Sequence, residues 1–234
     1  MENRLKSLLT TSEKLVKLKT EVEEAFGVPA LFYINPTLSH LGGYDHIRAQ
    51  PTFVFHPDHI NESNIAHEMI HALQKKSGFP IIIKDLVNDK RFTVIQELNS
   101  NLLHINLVEQ MSNRGIDVKP YISSTITKLQ NFIHNKSDVK KMRSIGIPRT
   151  HYDAIVLLRL KYEAVYIPES RKRKTYRLYK SRYPEAYDLF TELVNIIDTY
   201  NMHAPETTKE AFKKCLQLLQ KEADYSMYIK LLND

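Results

Sequence analysis

Apolar side chains recur every three to four residues along most of this chain, a period that predicts amphipathic helices. Asn61 is a candidate N-cap for one of them, and Gly78, which precedes Pro80, is a candidate for the position just past its end. The predicted helices cover residues 2–25, 62–77, 89–113, 121–135, 150–166, 184–201 and 206–222.

Two short stretches break the helical period. Ala30–Asn35 and Thr52–Phe55 are rich in aromatic and β-branched residues, and prolines 36 and 57 follow them, as is typical of short strands. The pattern therefore predicts an α+β fold that is predominantly helical. A small N-terminal sheet packs on the helix at 62–77, and an all-α C-terminal half follows.

Composition narrows the class of protein. The 234 residues are 42% hydrophobic and 26% charged, which excludes a disordered or fibrous chain. No apolar run approaches the roughly 20 residues of a membrane-spanning helix, and the N-terminal residues lack the apolar core of a secretory signal. The single cysteine, Cys215, excludes an intrachain disulfide and a cysteine-based zinc site. We therefore expect a cytoplasmic protein without a membrane partner.

The net charge of +6 is unevenly distributed. Residues 1–117 carry 12 Lys and Arg against 14 Asp and Glu, whereas residues 118–234 carry 21 against 13. This asymmetry predicts two functional domains, 1–117 and 118–234, of which the second is the better candidate for an anionic partner.

The predicted helix at 62–77 contains the motif His67-Glu68-Met69-Ile70-His71, or H-E-x-x-H. Residues four apart lie on one face of a helix, so both imidazoles can reach one tetrahedral metal ion. Glu68 follows the first histidine and is placed to act on a water molecule rather than to bind the metal. The motif therefore predicts one zinc ion per chain, held by His67 and His71, with Glu68 as general base.

Residues 52–101 resemble a zincin metallopeptidase. Metzincins continue with a glycine and a third histidine after the motif, but here those positions are Gln74 and Ser77. The resemblance is therefore to gluzincins, which take a glutamate from a following helix as the third ligand. The matching residue is Glu97, 26 positions after His71.

Helical geometry favours Glu97 over Glu109. At about 100° per residue, Glu97, Asn101 and His104 fall within an arc of about 60° on a helix rich in Leu and Ile. Thermolysin-like enzymes place a glutamate and, four residues on, an aspartate at such positions, which implies that Asn101 accepts a hydrogen bond from a ligand histidine. Members of the ImmA/IrrE family have a glutamate followed closely by an asparagine, which the pairing of Glu97 with Asn99 resembles.

The zincin resemblance implies peptide-bond hydrolysis of a protein or peptide substrate. His104 is a candidate donor to the transition state, although His151, Tyr152 and Tyr44 are alternatives that the sequence does not separate. The strand Thr52–Phe55 is either an edge strand that holds the substrate extended or a core strand.

A basic segment, residues 171–182, contains seven basic and no acidic residues, with Tyr176 and Tyr179 between them. We interpret it first as a solvated basic loop and helix start. Binding of nucleic acid or another anionic partner is the alternative. The candidate contacts are Arg171, Lys172, Arg173, Lys174 and Arg177.

The sequence is therefore interpreted as a zinc-dependent metallopeptidase. Two alternatives stay open. The first is a catalytically inactive zincin-fold binding protein, against which the intact Glu68 argues. The second is a nucleic-acid-associated regulator that uses the basic segment.

Overall fold

The protein is α+β and mostly helical, as predicted. The computed structural model describes residues 2–38, 42–45, 49–82, 92–119, 148–165, 167–221 and 224–226. These residues contain eight α-helices and one three-stranded sheet. The helix predicted at 121–135 lies outside the described residues.

Most elements follow the predicted order, and a strand at 42–44 and a helix at 169–182 occur in addition. The strands are β1 (Leu31–Ile34), β2 (Gly42–Tyr44) and β3 (Thr52–Phe55), and a 3-10 turn follows at Pro57–His59. The helices are α1 (Glu2–Thr11), α2 (Glu13–Phe26), α3 (Glu62–Lys76), α4 (Phe92–Asn113), α5 (Arg149–Tyr162), α6 (Glu169–Arg182), α7 (Pro184–Ile197) and α8 (Pro205–Leu219).

The helix predicted over residues 2–25 is two helices, α1 and α2, with Ser12 between them. The Ser12 hydroxyl accepts the backbone N–H of Leu15 at 3.3 Å and so caps the start of α2. The same hydroxyl donates to Glu62 Oε1 at 2.5 Å, at the start of α3. The apolar period continues on both sides of Ser12, so the period alone does not reveal this break.

The contacts divide the described chain into two compact units. One comprises the described residues within Met1–Gly78 and Leu107–Tyr121, and the other those within Phe79–Asn106 and Ile122–Asp234. The functional division predicted at residues 117 and 118 is a statement about charge and stays a prediction.

In the first unit, the sheet has the order β1-β3-β2, with β1 parallel and β2 antiparallel to β3. Because β3 is paired on both sides, the edge-strand interpretation of Thr52–Phe55 is wrong and the core-strand alternative is correct. Phe53 and Phe55 of β3 are fully buried. Helix α3 packs against α2 and against the outer strand β2.

In the second unit, a core forms from α5–α8 and the first turns of α4. Buried side chains from each of these helices meet in it, and a fully buried Leu, Ile or Phe contributes about 1.5–3 kcal/mol by leaving water. The members include Leu98, Leu158, Leu193, Phe212 and Cys215. No helix among the described residues combines the length and apolar character needed to cross a membrane.

Candidate metal centre

Helix α3 holds the H-E-x-x-H motif in a fixed rotation about the helix axis. At its N-terminus, Asn61 Oδ1 accepts the N–H of Asn64 at 2.9 Å, and Asn64 Nδ2 donates to the carbonyl of His59 at 2.7 Å. The first bond satisfies a backbone donor at the helix end, and the second ties Asn64 to the preceding turn, so together they define where the helix begins. The flanking side chains Ile65, Ala66, Met69, Ile70 and Ala72 are fully buried. Because these neighbours are buried, the rotation of α3 about its axis is set, and with it the direction in which the two histidine side chains point.

Three histidine rings come together. Each of His67, His71 and His104 offers one ligand nitrogen, and these three atoms lie within 4.8 Å of one another. The rings of His67 and His71 are 4.6 Å apart between centroids and nearly perpendicular, at 84°. Small side-chain rotations bring such nitrogens to the roughly 3.4 Å expected of two ligands on one zinc ion. The group therefore has the dimensions of a mononuclear site.

Each of the three rings has an oxygen acceptor at Nδ1. The distances are 2.9 Å from His67 to Glu68 Oε1, 2.9 Å from His71 to Gln74 Oε1 and 2.7 Å from His104 to Glu163 Oε1. An ionised carboxylate or an amide oxygen only accepts, so these contacts favour the tautomer with the proton on Nδ1 in each ring. The lone pair is then on Nε2, which is the tautomer that a metal ion needs.

This donor set fits a divalent metal ion. Three neutral imidazoles form a known catalytic zinc set that leaves a fourth position for water or substrate. His67 and His104 are 8% and 3% exposed, so bulk water does not surround them. Imidazole also suits copper, iron and nickel, so zinc in particular is part of the proposal below.

Glu97, the glutamate predicted as third ligand, lies outside the three-histidine group. Its Oε2 is 2.9 Å from Arg159 Nη2 in an ion pair, and its side chain is 35% exposed. Glu97 and His104 are seven residues apart, which is about 10.5 Å along a helix axis, so one ion cannot bind both without a large distortion. The structure places His104 with His67 and His71.

Asn101, predicted to support a ligand histidine, is buried and has another partner. Its Nδ2 donates to the backbone carbonyl of Ile155 at 3.2 Å, and its Oδ1 has no hydrogen-bond partner among the described residues. The acceptors at the rings are Glu68, Gln74 and Glu163 instead.

His104 also cannot easily be the predicted transition-state donor. One of its nitrogens donates to Glu163 and the other is the candidate ligand, so the ring has no N–H left for a substrate. Two of the alternative donors are buried as well: His151 Nδ1 is 2.9 Å from Tyr225 Oη, and Tyr44 packs on Phe53. Burial raises the pKa of Tyr44 to about 12, so its hydroxyl stays protonated.

Sequence reasoning missed Glu163 as a site residue. It directly follows α5, whose buried face includes Ile155, Leu157 and Leu158, and it is only 1% exposed. The spacing of four residues between Arg159 and this glutamate predicts only an ordinary ion pair on the helix surface. Its burial and its contact with a histidine 59 residues away are tertiary properties that no local pattern reveals.

The basic segment is a helix, α6, rather than mainly a loop. Arg171, Arg173, Lys174 and Arg177 are exposed, whereas Lys172 is buried and paired with Glu169 at 3.0 Å. The Tyr176 ring stacks on Phe190, and Tyr179 is 3% exposed. The two tyrosines therefore serve the core and are not surfaces on which bases can stack.

Comparison with known proteins identifies no relative: no protein-family model, curated protein or solved structure matches the chain. The resemblance of residues 52–101 to zincins therefore rests on the motif.

Proposed function

We propose that this protein is a zinc-dependent metallopeptidase whose metal ligands are His67, His71 and His104. The observation that carries the proposal is the convergence of the H-E-x-x-H histidines with His104, each with an acceptor oxygen at Nδ1. The third ligand is thus a histidine in place of the glutamate that the gluzincin resemblance implies.

Glu68 is the residue that handles protons. Its Oε1 accepts from His67 Nδ1 at 2.9 Å, which holds the carboxylate beside the histidine group, and its side chain is only 12% exposed. When bound, zinc supplies the Lewis acidity that polarises a carbonyl group and acidifies a water molecule near neutral pH. A metal ion bound at Nε2 would lie on the other edge of the His67 ring from this contact. The Glu68 side chain therefore turns from Nδ1 towards that edge, takes the proton of the attacking water and delivers it to the leaving amine nitrogen.

The sheet supplies a surface for an extended substrate. With β3 in the centre, β2 is an outer strand of the described sheet, and it packs against α3. An outer strand pairs with an extended peptide through main-chain hydrogen bonds. Such pairing favours peptides over folded proteins as substrates, because a scissile segment must be unfolded to add as a strand.

A peptide-library digestion analysed by mass spectrometry tests this function. We expect the zinc-loaded protein to cleave peptides and Glu68→Gln to lose about 10²- to 10⁴-fold in rate while it keeps its zinc, because the general base is gone and the ligands remain. Glu62→Gln, at the start of the same helix, is the matched control and keeps the wild-type rate. Equal rates for wild type and Glu68→Gln would refute the proposal.

A second candidate function is binding of an anionic polymer by α6, favoured by the exposed cations Arg171, Arg173, Lys174 and Arg177. Since the tyrosines of α6 are packed inward, such binding would depend on phosphate contacts alone. Fluorescence anisotropy with single- and double-stranded oligonucleotides tests it. Affinity that falls steeply with salt, with a shallower slope for Arg173→Gln/Arg177→Gln, would support this function. Absence of binding at low salt would exclude it.

A further inference from the structure

The carboxylate of Glu163 is buried although it carries charge. Its side chain is 1% exposed, and one oxygen, Oε1, lies 2.7 Å from His104 Nδ1 and 3.2 Å from Arg159 Nε. Burying a carboxylate is costly unless hydrogen bonds and an opposite charge compensate for lost water. Both are present at Oε1, so this oxygen belongs to a buried hydrogen-bond network.

The network extends beyond Glu163. Arg159 uses Nε for Glu163 and Nη2 for Glu97, at 3.2 Å and 2.9 Å. Both ends of the guanidinium are thus held by carboxylates, which fixes its plane and with it the orientation of the Glu163 carboxylate. Helix geometry adds to this: Arg159 and Glu163 are four residues apart, and the N–H of Glu163 donates to the carbonyl of Arg159 at 3.0 Å.

His104 has little freedom of its own. It is 3% exposed, and its Nε2 lies 3.4 Å from the Ser100 hydroxyl, at the outer limit of a hydrogen bond. The short contact from Nδ1 to Glu163 is therefore the strongest described constraint on the ring. An imidazole that donates to a carboxylate is also a more basic ligand through its other nitrogen.

We propose that Glu163, oriented by Arg159, is a positioning residue of the metal centre. By accepting a hydrogen bond from Nδ1, Glu163 holds the His104 proton on that nitrogen. The lone pair of Nε2 is then always available to bind a metal ion, which raises the affinity of the site for zinc. This inference rests on the proposed function, since it takes His104 as the third ligand. The Glu97–Arg159–Glu163 chain thereby orients a metal ligand, which a surface ion pair would not do.

Zinc affinity, measured by competition with a chelating dye, tests the proposal. The variants are Glu163→Gln, which is nearly isosteric, and Glu163→Ala, with circular dichroism to confirm that each is folded. Asp198→Asn is the matched control. Asp198 pairs with Lys161 and Tyr162 of the same helix α5, and these pairs are outside the chain of contacts that leads to His104. We expect zinc to dissociate about 10- to 100-fold more readily from the Glu163 variants, and the control to match wild type.

The tautomer of His104 provides a readout that does not depend on metal. In ¹⁵N NMR spectra of the zinc-free protein, we expect the His104 proton on Nδ1 in wild type and a mixture of tautomers in Glu163→Ala. Wild-type zinc affinity in both Glu163 variants, or a proton on Nε2 in the wild type, would overturn the positioning role. Failure of the proposed function itself has a different signature, namely a wild-type protein that binds no zinc.

Discussion

At the scale of single residues, the three histidines differ in how far along the sequence their acceptor oxygens lie. His67 uses the adjacent Glu68, His71 uses Gln74 three residues on, and His104 uses Glu163 from another helix. The first two contacts are inherent in one helix, whereas the third depends on how α4 and α5 pack. Among the proposed ligands, His104 is therefore the one whose orientation is most sensitive to mutation elsewhere.

Glu97→Gln separates the two candidate third ligands. In the structure Glu97 contacts Arg159 and no histidine of the group, so we expect this variant to keep one zinc ion, with a loss of affinity no larger than that of the Glu163 variants. The free energy of unfolding should fall by about 1 kcal/mol or less, because the pair is partly exposed and solvent screens it. Zinc titration and chemical denaturation measure both quantities. A loss of zinc as large as that in His71→Ala would instead make Glu97 the ligand.

The sequence predicts the local part of this site and only that part. H-E-x-x-H places His67, Glu68 and His71 through the spacing of one helix turn. Glu97 and His104 differ by only about 20° around the helix axis, so periodicity cannot choose between them. The choice depends on position along the axis, which tertiary packing sets. Glu163 is 59 residues from His104 and has no sequence signal at all.

At the scale of elements, the helices follow from periodicity and caps, whereas the pairing of the strands does not. Thr52–Phe55 was predicted as a strand from its composition, and β3 has those bounds. Its central place depends on β2, a strand of only three residues that begins with two glycines and has little β-forming signal of its own. A central strand and an edge strand are indistinguishable in four residues without their neighbours.

Helix α8 gives an element-scale prediction through Cys215. The thiol is fully buried in the core, as its apolar helical position predicts, and burial raises its pKa from about 9 to about 12. We therefore expect no alkylation by iodoacetamide at mildly alkaline pH in the native protein, because the reactive thiolate is scarce and inaccessible. Labelling should become rapid once guanidinium chloride unfolds the chain. Rapid labelling of the native protein would mean that α8 opens from the core.

At the scale of the whole molecule, the fold class was predictable because most of the chain is helical, and the spacing of apolar residues within each helix is enough to predict it. The compact units are a separate property: residues 79–106 group with the C-terminal part of the chain. The division at residues 117 and 118 concerns charge and function, and it stays a prediction. Charge reports on partners and solubility and does not determine which faces pack together.

The central claim is that one metal ion binds to His67, His71 and His104. Elemental mass spectrometry of protein purified without chelators tests it most directly, on wild type, His71→Ala, His104→Ala and the control His56→Ala, which alters a histidine outside the group. The account predicts one zinc ion per chain in wild type and His56→Ala, and its loss from the other two variants. Wild-type protein without metal after zinc is added back, or His104→Ala with full zinc content, would contradict it.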